Sequence, residues 1–209
     1  RMALRVDTKK RQINLVLPKR ANMRDAYKFA LEHKYWIREK IDEMPEAIHF
    51  ENGTILPILG TQTKIDVTYD NTLKRTSISL KNNEICVKTN KKDPSARIKR
   101  FVIAHAKERL SALAHEKAKQ AGKTIQRIDV KDTTSRWGSC SHDGKLSFSW
   151  RLILAPYDAF DYVVAHEVAH LTHMDHSANF WNHCADLCKD YSKGKTWMKR
   201  HSSELVRYQ

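Results

Sequence analysis

Glycine, proline and cysteine are all scarce in this chain of 209 residues, which has 6 glycines, 5 prolines and 4 cysteines. Collagen-like repeats and wholesale disorder are excluded, because glycine and proline are rare and 41% of the residues are hydrophobic. No apolar run reaches the ~18 residues that cross a membrane. No apolar segment follows the charged residues 1–10 either, so we expect no signal peptide. The length suits one ample core, or a core with a smaller lobe.

The four cysteines form no pattern typical of disulfides or of metal sites. None belongs to a C-x-x-C pair, and Cys184 and Cys188 lie four residues apart, on one face of any helix there. That spacing suits packing better than a disulfide bond. We therefore expect a reducing compartment, and hence a cytoplasmic protein.

Positive charge is abundant and unevenly distributed. The chain has 38 lysines and arginines against 24 acidic residues, a formal net charge of +14. Residues 1–123 carry 27 basic and 14 acidic side chains, whereas residues 124–209 carry 11 and 10. The basic part is expected to attract polyanions such as nucleic acid or nucleotides. The alternative is a lysine-rich surface that only keeps the protein in solution.

Hydrophobic periodicity predicts an α+β fold in two parts within one continuous globular unit. Residues 1–123 are predicted to form a basic β-rich lobe with two helices, and residues 124–209 a C-terminal core. The predicted strands are a hairpin over 3–17, alternating segments in 54–90 with a turn at Asn82-Asn83, 125–130, and 146–152 after a turn-rich stretch. The predicted helices are 22–44 between Asn22 and Pro45, 95–120 before Gly122, 156–173, 180–191 after Ser177, and 196–208.

The residues that indicate chemistry are concentrated in one predicted helix. His166 and His170 are four residues apart, so a helix places both imidazoles on one face, with Glu167 between them. This H-E-x-x-H arrangement is a zinc metalloprotease motif, in which the histidines bind the metal and the glutamate is the general base. A catalytic zinc takes three protein ligands and leaves its fourth position to water. The motif predicts one zinc ion and a third ligand elsewhere.

His176 is the predicted third ligand. It follows His170 by six residues, as in the longer pattern H-E-x-x-H-x-x-G-x-x-H, whose glycine ends the helix. His173 stands at that glycine position here, so we expect Asp175 and Ser177 to help form the turn.

Other ligands remain as alternatives to His176. Asp186 is the first of them, as a carboxylate on the following helix, although an ordinary solvated aspartate is the simpler interpretation. His183 has a weaker claim, and we interpret His173 as a surface or supporting residue.

The expected mechanism is hydrolysis by an activated water. Zinc lowers the pKa of a bound water toward ~7, and Glu167 would take its proton and pass it to the leaving group. The oxyanion that forms needs a further donor. Arg136, Arg151 and Tyr157 have suitable chemistry, and the sequence does not rank them.

Four segments between about residues 130 and 185 together resemble the YgjP-like family of metal-dependent hydrolases. That family is grouped with the zincin-type metallopeptidases and is similar in its core to SprT-like proteases. The segments are Ser-Arg-Trp-Gly-Ser-Cys-Ser at 135–141, Ser-Trp-Arg-Leu-Ile-Leu-Ala-Pro at 149–156, the H-E-x-x-H helix at 161–171, and Asp-His-Ser-x-x-Phe-Trp at 175–181.

The resemblance implies a ligand set, a base and a substrate cleft. His166, His170 and His176 would bind the metal, and Glu167 would be the catalytic base. Strand 146–152 would border the cleft of this zincin-like core and hold an extended peptide by backbone pairing.

The resemblance also places further residues near that cleft. Ser139 and Cys140 would lie beside it, with Cys140 a buried thiol and not a nucleophile. Trp137, Trp150 and Trp181 would pack around the site, and stacking on nucleobases is the weaker alternative.

Three functions compete at this point. The first is a zinc-dependent peptidase acting on polypeptides. The second is a hydrolase of nucleotide phosphoanhydrides, although the chain has no G-x-x-x-x-G-K loop for phosphates. The third is a nucleic-acid-associated protease or binding module. Glu167 argues against a purely structural zinc, because a closed four-ligand site needs no base. No membrane partner is expected.

Overall fold

The structure is a computed structural model that describes residues 1–7, 12–44, 46–133 and 136–209. The predicted α+β class is confirmed: the described residues form three small sheets and six α-helices. Two of the three sheets and three of the helices, one of them long, precede residue 124. The third sheet and the last three helices follow it.

The N-terminal segment forms a strand pair followed by two short helices. Strands β1 (Ala3–Asp7) and β2 (Gln12–Val16) are antiparallel, as predicted, and the four residues between them lie outside the described part. Asn22 caps α1 (Met23–Glu32) by accepting the backbone N–H of Arg24 at 2.9 Å.

The single helix predicted over 22–44 is wrong, because the helix is interrupted at His33. The His33 Nδ1 atom bonds to the Phe29 carbonyl at 2.8 Å, and its backbone N–H bonds to the Ala30 carbonyl. A second helix, α2 (Lys34–Asp42), then begins. Pro45, the predicted helix end, lies outside the described residues.

The second sheet has the strand order β3-β4-β6-β5. The Asn82-Asn83 turn is confirmed, since both residues have positive φ (49° and 60°), as hairpin turns with asparagine require. Strand β3 was not predicted separately, because its proline interrupts the alternation. The four strands are β3 (Ile55–Ile58), β4 (Thr61–Tyr69), β5 (Ser77–Lys81) and β6 (Glu84–Thr89).

A long helix, α3 (Ser95–Gln120), joins the two halves of the chain and matches its prediction. Pro94 precedes its first turn, and Gly122 follows its end with a φ of 64°, which favours glycine. Its buried face includes Ile98 and Leu110, which belong to one hydrophobic cluster with residues of both halves.

The third sheet carries a strand that the sequence did not predict and places the predicted ones differently. Its order is β7-β9-β8, from β7 (Arg127–Lys131), β8 (Gly138–Cys140) and β9 (Lys145–Ser149). Strand β9 is central, so the expectation that strand 146–152 offers its backbone to a substrate is wrong. The free edge on the side of the site belongs to the short β8, which was interpreted as a turn.

The chain leaves β9 in a 3-10 turn, Trp150–Leu154, whose residues are all buried. The prediction of a strand to residue 152 is therefore wrong: the alternation of the sequence continues past Ser149, but the backbone does not stay extended. Three helices follow, each with bounds that differ from the predicted ones. They are α4 (Tyr157–Ala169), α5 (Ala178–Leu187) and α6 (Tyr191–His201), which is followed by a 3-10 turn, Ser202–Arg207.

Helix α4, which carries the H-E-x-x-H motif, is the most buried of the six helices and lies in the core. Most of its apolar residues are buried, among them Val164 and Val168, and α3, α5 and α6 pack around it. Among the described helices, none combines the length and the apolar character that a membrane span requires.

Candidate metal centre and active site

The three predicted ligands come together where α4 ends. His166 lies in the last turn of α4, and His170 is the residue just past its end. The backbone N–H groups of Leu171 and Thr172 bond back to the carbonyls of Val168 and Ala169 at 2.9 and 3.0 Å. These short bonds end the helix at Ala169, so the predicted continuation to residue 173 is wrong and the chain can reverse.

The reversal is completed by the side chains predicted for it. The Asp175 carboxylate accepts the backbone N–H of Ser177 at 3.2 Å, and the Ser177 hydroxyl accepts the N–H of Phe180 at 3.4 Å, which caps α5. His176 is held between these two bonds and returns to the end of α4. A turn of Asp and Ser therefore serves where the longer motif has glycine.

The three imidazoles surround one point. One ligating atom from each of His166, His170 and His176 lies within 4.8 Å of the others, and the Nε2 atoms of His166 and His176 are 3.2 Å apart. The ring centroids of the three pairs are 4.8 to 5.0 Å apart. His170 is buried and His176 is exposed, so the cluster opens to solvent on one side.

Phe180, on α5, is the common support of the three rings. It is inaccessible to solvent, and its centroid is 4.9, 4.5 and 4.8 Å from those of His166, His170 and His176. Because one rigid ring contacts all three imidazoles, their orientations are fixed relative to one another.

Burial disfavours the charged form of His166 and of His170. Burial first, and then the neighbouring His170, His176 and Lys195, lower the pKa of His166 to about 4. Burial also lowers the pKa of His170, whose Nδ1 donates to the His173 carbonyl at 2.9 Å in the neutral tautomer that leaves Nε2 as an acceptor.

The residues present fit a transition-metal ion. Three imidazoles that converge within 4.8 Å are the donor set of a three-ligand site with an open position. The Nδ1 atom of His166 is buried and has no partner among the described residues, so this ring is positioned by packing between Tyr162 and Phe180.

Glu167 points into a space that exists only because residue 138 is glycine. A Cβ atom on Gly138 would lie 2.6 and 2.7 Å from Cγ and Cδ of Glu167, closer than real contacts. The backbone of β8 therefore lies directly against this carboxyl group, which is only 6% exposed. Burial raises the pKa of Glu167 to about 8, so in the metal-free protein it holds a proton near neutral pH.

A cleft of about 480 Å³ opens beside Glu167 and His166. Its walls come from three parts of the chain: the segment around β8, helix α4 and helix α6. The lining residues are Arg136, Trp137, Gly138, Tyr162, Val163, His166, Glu167, Lys195, Met198 and Lys199.

A second glycine brings α6 to this cleft. A Cβ atom on Gly194 would lie 2.5 Å from Cβ of Tyr162 and 2.9 Å from the carbonyl carbon of Asp158. Helix α6 can therefore cross α4 in backbone contact, and it presents Lys195 and Lys199 to the cleft. The Lys195 ammonium lies 3.6 Å from the centre of the Trp181 ring, in cation–π contact.

The comparison with protein families agrees with this site. The model of the YgjP-like metallopeptidase domain matches residues 1–201, nearly the whole chain. The chain belongs to the YgjP-like family. Among curated proteins, none matches it. The crystal structure of the metallopeptidase zymogen of Pyrococcus abyssi abylysin is similar over 44% of this chain and 95% of its own, at 15% identity and a TM-score of 0.39.

The alternative ligands lie outside the histidine cluster of this YgjP-like domain. Among the described residues, the group able to hold an ion consists of His166, His170 and His176. The ring of His183 faces that of His173 at 5.7 Å, and Asp186 does not join the group.

The predicted donors for the oxyanion are separated by the fold. Arg136 lines the cleft of the YgjP-like domain. Arg151 is inaccessible to solvent, pairs with Asp132, and donates to the Tyr208 carbonyl at 3.2 Å. Tyr157 is 47% exposed at the start of α4, two turns before His166, and does not line the cleft.

Ser139 and Cys140 occupy opposite faces of β8. Ser139 pairs with Ser147 of β9, whereas Gly138 and Cys140 pair with buried residues of β9 and share the face toward α4. Burial and the nearby Glu167 raise the pKa of Cys140 to about 11. The thiol therefore stays protonated, as its interpretation as a non-nucleophile requires.

Sequence reasoning missed Tyr162, Lys195 and Lys199 as cleft residues. Tyr162 had a usable signal, because it precedes His166 by four residues and so shares the ligand face of α4. Burial raises its pKa to about 12, so its hydroxyl remains a donor. The lysines had no such signal, since their position depends on the crossing of α6 at Gly194.

The raised pKa of Glu167 predicts a pH-dependent stability of the metal-free YgjP-like domain. The folded carboxyl keeps its proton up to pH about 8, whereas the unfolded one ionises near its ordinary value of 4.5. The free energy of unfolding of the metal-free domain therefore falls as pH rises from about 4.5 to about 8. We expect Glu167→Gln to raise the free energy of unfolding by roughly 3 kcal/mol at pH 9 and far less at pH 5.

Urea unfolding of the chelator-treated protein at the two pH values measures this difference. Metal must be absent, because a bound cation would favour the ionised carboxylate. An equal change at both pH values would show that Glu167 is not protonated in the folded domain.

Proposed function

We propose that this chain is a zinc-dependent peptidase in which Glu167 is the general base. The observation that carries the proposal is the position of Glu167, a buried carboxyl group that lies against the backbone of the edge strand β8 and lines the same cleft as His166 of the three-histidine cluster. Such a position lets one carboxyl group serve both a water near the histidines and a substrate along the strand.

His166, His170 and His176 would hold the ion, and three nitrogen donors suit zinc. A bound zinc would supply Lewis acidity, which activates water and polarises a carbonyl. The protein's part is to keep His166 and His170 neutral by burial, and to orient the donors through the His173 carbonyl and the Phe180 ring.

Glu167 would move the proton. Its pKa of about 8 in the absence of metal supports this role, because a general base works best when its pKa is near the working pH. A nearby cation would lower the pKa of Glu167 from this value toward ~7. The backbone of β8 limits its movement, so the carboxyl stays close to both the attacking and the leaving atoms.

The edge of β8 would bind the substrate backbone. The Trp137 carbonyl and the Ser141 N–H bond to β9, so in the alternating antiparallel pattern the N–H and C=O groups of Gly138 and Cys140 face away from β9. An extended peptide can pair with these groups and pass over Glu167. Strand β8 thus takes the role that the sequence assigned to strand 146–152.

Tyr162 is the donor that we propose for the oxyanion. It lines the cleft, lies on the ligand face of α4 with its ring centroid 5.8 Å from that of His166, and stays protonated. Arg136 is the alternative from the predicted set, since it also lines the cleft.

A second candidate function is hydrolysis of nucleotide phosphoanhydrides. Three cations, Arg136, Lys195 and Lys199, line the cleft against one carboxyl group, that of Glu167. This charge favours a substrate with phosphate groups, or a peptide with acidic side chains.

The deciding experiment offers both kinds of substrate to zinc-loaded protein. The pool contains unfolded polypeptides and nucleoside triphosphates, and mass spectrometry identifies the products. We expect peptide cleavage that Glu167→Gln abolishes. Triphosphate hydrolysis that depends on Glu167, without any peptide cleavage, would establish the second candidate. Cleavage that persists in the variant would exclude Glu167 as the base.

A further inference from the structure

A second cavity, of about 530 Å³, lies in the N-terminal half of the chain and shares no lining residue with the catalytic cleft. We call it the basic cavity. No carboxylate lines it, and only Ile78 among its described lining residues is apolar. Five of the eight lining residues are cationic: Lys74, Arg75, Lys91, Arg97 and Arg100.

The five cations have no carboxylate partners in the described part of the chain. None of them takes part in an ion pair there, although ten other ion pairs are formed. Among the described residues, the one hydrogen bond made by these side chains runs from Nε of Arg100 to the Ala96 carbonyl at 3.3 Å, which leaves both terminal guanidinium nitrogens available to a ligand. Five like charges around one space repel one another and create a strong attraction for an anion.

The loop that carries Lys74 and Arg75 is held in place. The Asn90 side chain donates to the Leu73 carbonyl at 2.7 Å, and the hydroxyls of Thr76 and the buried Thr89 are 2.7 Å apart. These bonds attach the loop between β4 and β5 to the end of β6. The loop cations are therefore positioned before a ligand arrives, which reduces the entropy lost on binding.

Arg97 and Arg100 complete the cavity from the first turns of α3. The Asp93 carboxylate accepts the N–H of Ser95 at 2.9 Å and fixes the start of this helix. Loop, strand end and helix start thus present cations from three directions.

The lining selects phosphate groups and offers little to a base. It contains no aromatic ring among its described residues, so a nucleobase has no surface on which to stack. Lysine and arginine recognise phosphates without reading sequence. We propose that the basic cavity binds the sugar-phosphate backbone of a nucleic acid, independently of its sequence.

Fluorescence anisotropy with labelled 20-mer DNA, single-stranded and duplex and in two unrelated sequences, tests this proposal on the full chain. We expect similar affinities for the two sequences. We also expect log Kd to rise with log salt with a slope of about 3 to 4.5, since each of up to five contacts contributes ~0.9. The assay needs no turnover, so its outcome is independent of the proposed peptidase activity.

Charge reversal locates the binding site. The double variant Arg97→Glu with Arg100→Glu should weaken DNA binding at least about tenfold. The double variant Lys74→Glu with Arg75→Glu should have the same effect, and because these residues lie on an exposed loop it serves as the test if the helix variant folds poorly. The matched control, Arg24→Glu with Lys28→Glu on α1, changes the net charge equally at exposed positions.

Three results would overturn the proposal. Equal weakening by the control would mean that the bulk charge binds DNA. Full competition by inorganic phosphate at matched ionic strength would mean that small anions are the ligand. If the protein bound to vesicles that contain anionic lipid and DNA did not displace it from them, the ligand of the cavity would be a membrane surface.

Discussion

Alanine at position 176 should remove the metal from the protein and leave the fold intact. His176 is exposed, so its side chain contributes little to the core, yet it supplies one of three ligating nitrogens. Loss of a partner that only orients a ligand already costs 10- to 100-fold in metal affinity, so loss of a ligand should cost at least about a hundredfold. Metal content after gel filtration and peptide turnover should both fall to near background.

His173→Ala is the matched control for this variant. It also removes one imidazole from the same turn, but His173 contacts the cluster through its backbone carbonyl, which alanine retains. We expect normal metal content and turnover in the control. If His176→Ala kept its metal while a variant at Asp186 lost it, the third ligand would be Asp186 and the assignment of His176 would be wrong.

Alanine at position 138 should lower the turnover number about a hundredfold without releasing the metal. The added methyl group would occupy the space of the Glu167 side chain and displace it, and a shift of about 1 Å in a catalytic group costs that much. The atoms nearest to the added methyl group all belong to Glu167 and not to the three histidines, so the metal content should not change. We expect destabilisation of ~1 to 3 kcal/mol as well, because the site is tightly packed.

Ser139→Ala tests whether the effect is specific to the glycine. The neighbouring residue faces the other side of β8, so its replacement should leave turnover unchanged. Full activity of Gly138→Ala would mean that Glu167 can move away without loss, and would contradict its role as a positioned base.

The ligands could be predicted from the sequence because helix geometry and a short turn determine their positions. Four-residue spacing places His166 and His170 on one face wherever α4 lies in the fold. The return of His176 needs only six residues, and Asp175 and Ser177 have the turn chemistry to make it. These interactions are local, so the surrounding protein does not alter them.

The cleft could not be predicted to the same extent, because its parts meet through tertiary packing. Lys195 reaches it from a helix whose crossing depends on the absence of a side chain at Gly194. Arg151 had the chemistry of an oxyanion donor, but its partner Asp132 is nineteen residues away and holds it in the core. Strand β8 has three residues, too few for an alternating pattern to be recognised.

Two of the six glycines lie against the same helix, one at each side of the cleft. Gly138 sets the backbone of β8 on Glu167, and Gly194 sets the backbone of α6 on Asp158 and Tyr162. The spacing of β8 and α6 from α4 is therefore set by main-chain contact at these two glycines. For the peptidase proposed above, a cleft bounded in this way is expected to take an extended segment and not a folded surface, so the target bond would lie in an unfolded part of its protein.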